Sequence, residues 1–330
     1  MKIESFVITN GIISAELLNY GATLKSLVVP DKNGVLTDVV LGYATGEEYT
    51  KNNGYFGATV GRVANRIRNA TFSLDGVQYA LDKNNIGKHT MHGGFSSFSN
   101  RLWSVEKLEK NSVKFSLFSP DGESGFPGNL NVFVTYTVTD GNSLLIEYNA
   151  LSDKDTPLNF TNHAYFNLNG QANGNVFETL VEINSKSVTT ADAERVANGG
   201  IADVSGSIFD FRKLKKIGDI YNVSDKDKQV APVYDAFYPI TGKGMRYFAK
   251  AIGDKSGIEM QVYSDCEGVQ FYTETFLEGR AVKYGTLGKG NAYCFETQGY
   301  PDSLNCKKFP PCIVKKGQKF NSKTEFKFIF

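Results

Sequence analysis

Three histidines stand in this chain of 330 residues, His89, His92 and His163. Each asks for an account, because imidazole is the side chain that ordinarily titrates near neutral pH. His163 lies in Asn159-Phe160-Thr161-Asn162-His163-Ala164-Tyr165-Phe166-Asn167, an extended segment whose amides could hold an imidazole in one tautomer. A core histidine satisfied by the same neighbours is the plainer reading. His92 precedes two glycines in Thr90-Met91-His92-Gly93-Gly94, where backbone can turn sharply or come close to a ligand; a surface turn also accounts for it. His89 sits in a polar loop and reads as structural. Near the C-terminus, Cys294-Phe295-Glu296-Thr297-Gln298 sets one carboxylate in an apolar run. On a strand, Phe295 and Glu296 point to opposite faces. Turned inward, Glu296 needs a polar partner or a shifted pKa; turned outward, it marks an edge strand. An imidazole and a carboxylate are together the components of general acid–base catalysis. Arg62, Asn65 and Arg66, in the run GATVGRVANRI over residues 57–67, add donors suited to hydroxyl groups, or else form a solvated basic face. No Ser-His-Asp order, nucleophile elbow or phosphate-binding loop accompanies them.

The elements that must position these groups read as strands. Phe and Tyr total 41 residues and Gly 33, the composition of strands joined by glycine turns. The clearest signal is residues 129–151. There Val132, Val134, Tyr136 and Val138 alternate with polar partners, and Leu144, Ile146 and Tyr148 do the same after Asp140-Gly141, which predicts a hairpin. Residues 22–29 and 39–41 predict two more strands joined at Asp31-Lys32-Asn33-Gly34. Phe326, Phe328 and Phe330 are expected on one face of a last strand. Single helical turns are expected at 46–51 and 192–196, and the charged stretch 213–228 reads as an insertion loop. With no long helical period, no G-x-G-x-x-G after a strand and no internal repeat, the chain is expected to be all-β: one large antiparallel β-sandwich forming a single domain over residues 1–330.

Composition narrows the partners. The formal charge is +1, from 36 basic and 35 acidic residues, so neither a nucleic acid nor a membrane surface is an expected partner. The N-terminus lacks the apolar core of a secretory signal, and no apolar run approaches the ~18 residues of a membrane helix. Cys266, Cys294, Cys306 and Cys312 form no C-x-x-C pair, so a zinc site is not expected; they read as reduced packing thiols of a cytoplasmic protein. The sequons at Asn69, Asn159 and Asn222 then carry no meaning. Taken alone, these features describe a β protein able to bind a sugar.

Taken in order, seven motifs say more: NYGATLKSLVVPDKNG, VGRVANRI, HTMHGG, SPDGESGFPG, NFTNHAYFNL, EGVQFYTETFL and FETQGYPDSLN. Their order, from Asn19 to the last strand, resembles the aldose 1-epimerases, also called galactose mutarotases. The resemblance implies the mutarotase-like supersandwich, with the sugar in a cleft across one sheet. It implies a cofactor-free and metal-free isomerase, working as a monomer or weak dimer on free aldohexoses such as D-galactose and D-glucose, most naturally in galactose catabolism. No nucleotide-sugar epimerase domain is expected before the sandwich. By the resemblance His163 is the general acid and Glu296 the general base, while Asn65, Arg66, His92, Asp235 and Gln270 bind substrate. Departures from the family pattern stand at Ala236, Glu274, Thr275 and Gly299, where a changed cleft rim is expected.

Anomer exchange opens a hemiacetal and recloses it on the other face, so one acid and one base suffice. A cytoplasmic enzyme needs its imidazole charged near neutral pH, so His163 is expected to titrate above its ordinary value, with an acidic group nearby. Three rivals remain: a non-catalytic sugar sensor, betrayed by loss of His163 or Glu296; a hexose-phosphate epimerase, needing a basic cluster for which Arg62, Arg66 and Arg68 are candidates; and a glycoside hydrolase, for which no second carboxylate stands out.

Overall fold

The computed structural model describes residues 2–51, 54–171, 173–222, 234–273 and 277–330. The expected hairpin is present. Leu130–Val138 pairs with Ser143–Ser152, in register from Leu130↔Ser152 to Val138↔Leu144, and its even-numbered side chains are buried. Lys319–Ile329 adds to the other side of Ser143–Ser152. Phe326 and Phe328 enter the core, but Phe330 lies past the strand end and is 40% exposed. These strands are the middle of a nine-stranded sheet in which every pairing is antiparallel. From one edge it runs Ser104–Leu108, Ser112–Ser119, Leu130–Val138, Ser143–Ser152, Lys319–Ile329, Glu259–Ser264, Arg246–Ile252, Leu180–Ile183, Lys215–Lys216.

Two smaller sheets lie against it. One is four-stranded (Ser5–Thr9, Ser14–Leu18, Thr23–Pro30, Leu36–Asp38) and the other three-stranded (Asp235–Pro239, Gly268–Thr273, Tyr293–Gln298). A single apolar cluster joins all three, with Leu17 and Leu27, Val134, Ile146 and Phe326, and Phe271 and Phe295 among its members. This is the all-β sandwich that the residue pattern implied.

Local expectations fail where a side chain replaces a backbone partner. The partner of Thr23–Pro30 is Leu36–Asp38, not residues 39–41. The Asp38 carboxylate takes the N–H groups of Leu27 and Val40, and the ladder ends there. Residues 192–196 form no helical turn. They are the tip of a hairpin between Ser187–Ala191 and Ala197–Asp203, closed by the Asp192 carboxylate accepting from the N–H groups of Glu194 and Val196. The turn at 46–51 is helical, as Gly46–Thr50. Of the supposed loop 213–228, Lys215–Lys216 is an edge strand and Ile217–Asn222 a 3-10 helix; residues 223–228 lie outside the described residues. None of the four cysteines is in a disulfide. No helix among the described residues is long and apolar enough to cross a membrane.

Arg62, one of the candidate hydroxyl donors, is consumed by the fold. It is 2% exposed. Its guanidinium donates to Ser119 Oγ (3.0 Å from Nε) and to the carbonyls of Pro127 (2.8 Å), Ser119 (3.0 Å) and Pro120 (3.0 Å). It therefore ties the segment leading to Asn65 and Arg66 to the 119–127 loop. Replacing Arg62 by Met should lower the unfolding free energy by about 3 kcal/mol, because several buried carbonyls lose their donor. Urea denaturation measures this, and a loss below about 1 kcal/mol would mean that water substitutes for the guanidinium.

Candidate active site

The three-stranded sheet supplies one wall. Its register sets Gln270 opposite Glu296, Tyr272 opposite Cys294, and Asp235 opposite Tyr272. Opposed residues share a face and neighbours two apart do too. Asp235, Gln270, Tyr272, Cys294 and Glu296 therefore face one way. The alternate residues Ala236, Tyr238, Val269, Phe271, Tyr293 and Phe295 face the core. Glu296 thus points inward, not out from an edge, and is 3% exposed.

The second wall is built around His163. Its N–H donates to the Ala58 carbonyl and its own carbonyl accepts from Gly57, next to the short ladder Thr161↔Val60 and Asn162↔Thr59. The ring stacks on Tyr165 at 4.9 Å and lies 5.3 Å from the His92 ring. Its Nε2 is 3.7 Å from Glu296 Oε1, so two residues more than a hundred positions apart in sequence meet.

The third wall is a backbone knot. Asn65 (φ 64°) and His92 (φ 50°) hold each other: His92 N–H donates to the Asn65 carbonyl at 3.0 Å, and Asn65 N–H donates to His92 Nδ1 at 3.1 Å. Gly93 is required here, since a Cβ would stand 1.9 Å from the Gly61 carbonyl oxygen at a φ of +89°. Arg66 leaves this knot toward Asp235, its NH1 4.0 Å from Oδ2, while Gln270 Nε2 donates to Asp235 Oδ1 at 2.7 Å.

These walls enclose a cleft of about 260 Å³. All seven residues singled out from sequence come together: Asn65, Arg66, His92, His163, Asp235 and Glu296 line the cleft, and Gln270 stands behind Asp235. Three buried polar atoms here have no hydrogen-bond partner, namely Arg66 Nε, Gln270 Oε1 and Glu296 Oε2. Unsatisfied groups of this kind suit a polar ligand such as a polyol. His89 is structural, as expected. Buried outside the cleft, it accepts from Asn69 N–H and contacts Glu194 at 3.1 Å.

Sequence reasoning missed Tyr55, Tyr165, Arg195, Tyr272 and Arg280, which also line the cleft. Tyr165 and Tyr272 were findable, each lying two residues beyond an identified group on extended backbone. Arg195 was hidden by the mistaken helical turn; at φ 61° it reaches to 3.8 Å from Asp235 Oδ2. Arg280 donates to the Tyr43 hydroxyl at 3.1 Å. Of the basic cluster proposed for a phosphate, only Arg66 lines the cleft. Arg62 is buried on carbonyls, and Arg68 pairs with Asp192 at 2.7 Å. Two departures from the family pattern also lie off the rim. Ala236 faces the core, and Gly299 N–H donates to the Asn159 side chain at 2.7 Å, away from the cleft. Glu274 and Thr275 lie outside the described residues.

Burial decides the protonation. It pushes His163 down to about 4, contrary to the expected rise. The expected acidic neighbour is there, but it brings no charge. Burial pushes Glu296 up to about 8, helped by the charge of Asp235 and opposed by Arg66. His92 is held well below its ordinary value by burial, then by His163 and Arg66. His92, His163 and Glu296 offer three ligand atoms within 4.8 Å of one another, the donor set of a metal site. The Asn65 N–H on His92 Nδ1 argues otherwise: it puts the ring hydrogen on Nε2, making His92 a donor toward the cleft rather than a metal ligand.

The residues match the family description for aldose 1-epimerase over positions 4–327. The chain is 40% identical to galactose mutarotase of Bos taurus over 99% of its length and 94% of that protein. It is 33% identical to aldose 1-epimerase of Escherichia coli over 95% of its length and 91% of that protein. An aldose epimerase homologue from C. elegans superposes with a TM-score of 0.90 at 32% identity, covering 99% of both chains. The chain belongs to the aldose 1-epimerase family.

The Glu296 shift makes a stability prediction. The folded chain holds this proton up to about 8, whereas the unfolded chain releases it near 4.5. Stability linked to the proton is full below 4.5 and is lost as pH rises through the folded value. Glu296→Gln lacks that loss. It should therefore match wild type near pH 4 and exceed its stability by on the order of 5 kcal/mol near pH 9. Urea titrations at both pH values measure the difference; equal stabilities at the alkaline one would place the carboxylate in contact with water.

Proposed function

We propose that this aldose 1-epimerase interconverts the α and β anomers of free aldohexoses, D-galactose and D-glucose among them, with His163 and Glu296 as the proton-transfer pair. The observation that carries the reading is the 3.7 Å approach of His163 Nε2 to Glu296 Oε1 in a buried cleft. Between about 4 and about 8 the pair holds one proton, and one is the number the reaction requires. Ring opening delivers a proton to the ring oxygen and removes one from the anomeric hydroxyl. In the family's roles His163 delivers and Glu296 removes. The pair then passes from imidazolium and carboxylate to imidazole and carboxylic acid as the aldehyde forms. Rotation about C1–C2 presents the other carbonyl face, and the same transfers run backwards.

The neutral pair that burial favours is thus the partner of the open-chain sugar, so the dry site lowers the energy of the stage that is hardest to reach in water. The ring-closed stage needs charges on both groups. Arg66, the His92 Nε2–H and the hydroxyls of the sugar supply the dipoles to bear them. Asp235, fixed by Gln270, accepts from a sugar hydroxyl. The chemistry moves protons only, so neither electrons nor a group-transfer agent enter the balance. A sensor reading is disfavoured because both His163 and Glu296 are present and in contact. We further propose that the chain works as one domain, in the cytoplasm, as a monomer or weak dimer. Its balanced charge, the absence of disulfides among its four cysteines and the continuous core from Ile8 to Phe328 support this.

Polarimetry on freshly dissolved α-D-galactose and α-D-glucose tests the reading. Wild type should speed the drift to equilibrium, and His163→Asn or Glu296→Gln should each lose roughly 10²–10⁴-fold of that rate. The wild-type rate should be flat through neutral pH, falling as pH drops toward about 4, where the imidazole gains a second proton for the pair, and above about 8, where the pair loses its proton. Uncatalysed drift with both sugars would overturn the proposal.

A further inference from the structure

We infer that Cys294 is a positioning residue for His163: its sulfur fixes the ring hydrogen on Nδ1 and leaves Nε2 open to Glu296 and the cleft. This rests on the acid–base reading of His163 given above. The strand Tyr293–Gln298 carries Cys294 and Glu296 two residues apart, hence on one face. The two side chains meet the same imidazole from its two nitrogens. Cys294 Sγ is 3.6 Å from Nδ1, and Glu296 Oε1 is 3.7 Å from Nε2. Cys294 is 0% exposed and His163 4% exposed, so water does not compete for the Nδ1 position. Ring rotation is checked by Tyr165 stacked at 4.9 Å and Tyr55 at 5.8 Å.

A neutral imidazole carries one hydrogen, and the hydrogen bond made by one nitrogen decides the state of the other. With the hydrogen on Nδ1, the sulfur 3.6 Å away accepts it. Nε2 is then a bare acceptor facing a protonated carboxyl, so the shared proton can cross to the imidazole without any ring rearrangement. With the hydrogen on Nε2, that nitrogen would have no lone pair to take the carboxyl proton across the 3.7 Å gap, and the transfer would be blocked. A thiol that merely filled space would tolerate alanine without effect on the tautomer. The i, i+2 spacing therefore does two things at once: one strand supplies the carboxyl and sets the imidazole that exchanges a proton with it.

Ring ¹⁵N shifts of His163 report its tautomer directly and need no substrate. Wild type should show Nδ1–H at neutral pH; finding Nε2–H there overturns the inference without any variant. Cys294→Ala should shift the population toward Nε2–H and lower kcat about tenfold, equivalent to about 1.4 kcal/mol of transition-state stabilisation, with KM unchanged within about twofold. Cys294→Ser, which keeps an acceptor at the same place, should restore both the tautomer and kcat. If the alanine variant folds poorly, Cys294→Val makes the same test with the volume kept. An alanine or valine variant that retains Nδ1–H and wild-type kcat reduces Cys294 to packing. Failure of the acid–base reading is seen separately, as an active His163→Asn enzyme.

Discussion

His163 and Glu296 face each other at 3.7 Å with almost no water on either, and much of the surrounding structure follows from the cost of charging a group in such a place. In water an imidazole and a carboxylate of ordinary pKa would both be charged only in a narrow acid window. Burial moves both groups toward neutrality instead, the imidazole down and the carboxyl up. The two shifts hold the pair at one proton through neutral pH, where groups of ordinary pKa would hold none above about 6.5. Burial also alters where that single proton rests. A site that needed a free imidazolium would be poorly served; a site that trades one proton between two neighbours is well served, because neither tautomer carries a net charge into the core.

That pair exists only because three strands hold one register. Gln270↔Glu296 and Asp235↔Tyr272 put the polar set on the cleft face and the aromatic set in the core. A slip of one residue would exchange the two sets, burying Gln270 and Glu296 against Phe326 and its neighbours while turning Phe271 and Phe295 to the ligand. The packing of Phe271 and Phe295 therefore specifies the site as firmly as any hydrogen bond within it. On the facing wall the same task falls to backbone: Asn65 and His92, both at positive φ, lock each other through reciprocal hydrogen bonds, and Gly93 is the only residue type that lets this knot close against Gly61.

The fold class and the two central side chains were legible in the sequence, for different reasons. Period-two alternation in residues 130–138 is a local property, and a local reading suffices for it. The encounter of His163 with Glu296 is not local; only the ordered motifs of a known family pointed to it. What escaped were features set by competition between side chain and backbone. Asp38 ended a strand early and Asp192 closed a turn that looked helical, which hid Arg195. The sign of the His163 shift also escaped. A carboxyl was foreseen beside the imidazole, but its own burial, which removes the charge that would have raised the imidazole, is a property of depth and not of sequence.

Sugar preference must then be sought where the cleft meets its ligand, and the departures first suspected are not all there. Ala236 packs in the core and Gly299 is held by Asn159. Arg195 is a different matter. Its turn is braced from both sides, Arg68 on Asp192 at 2.7 Å and Lys88 on Glu194 at 2.7 Å, so the residue is held over the opening by groups that also adjoin the Asn65 and His92 segments. Its guanidinium and that of Arg66 flank the same Asp235 oxygen, at 3.8 and 4.0 Å. Two cations on one carboxylate keep Asp235 aimed, and a carboxylate accepts from a hydroxyl but rejects a second acceptor. On the proposed reading, in which Asp235 binds a sugar hydroxyl, discrimination at that corner is by the direction in which that hydroxyl points. Axial and equatorial epimers present the same group along different lines, and a braced carboxylate moves little to meet the second of them.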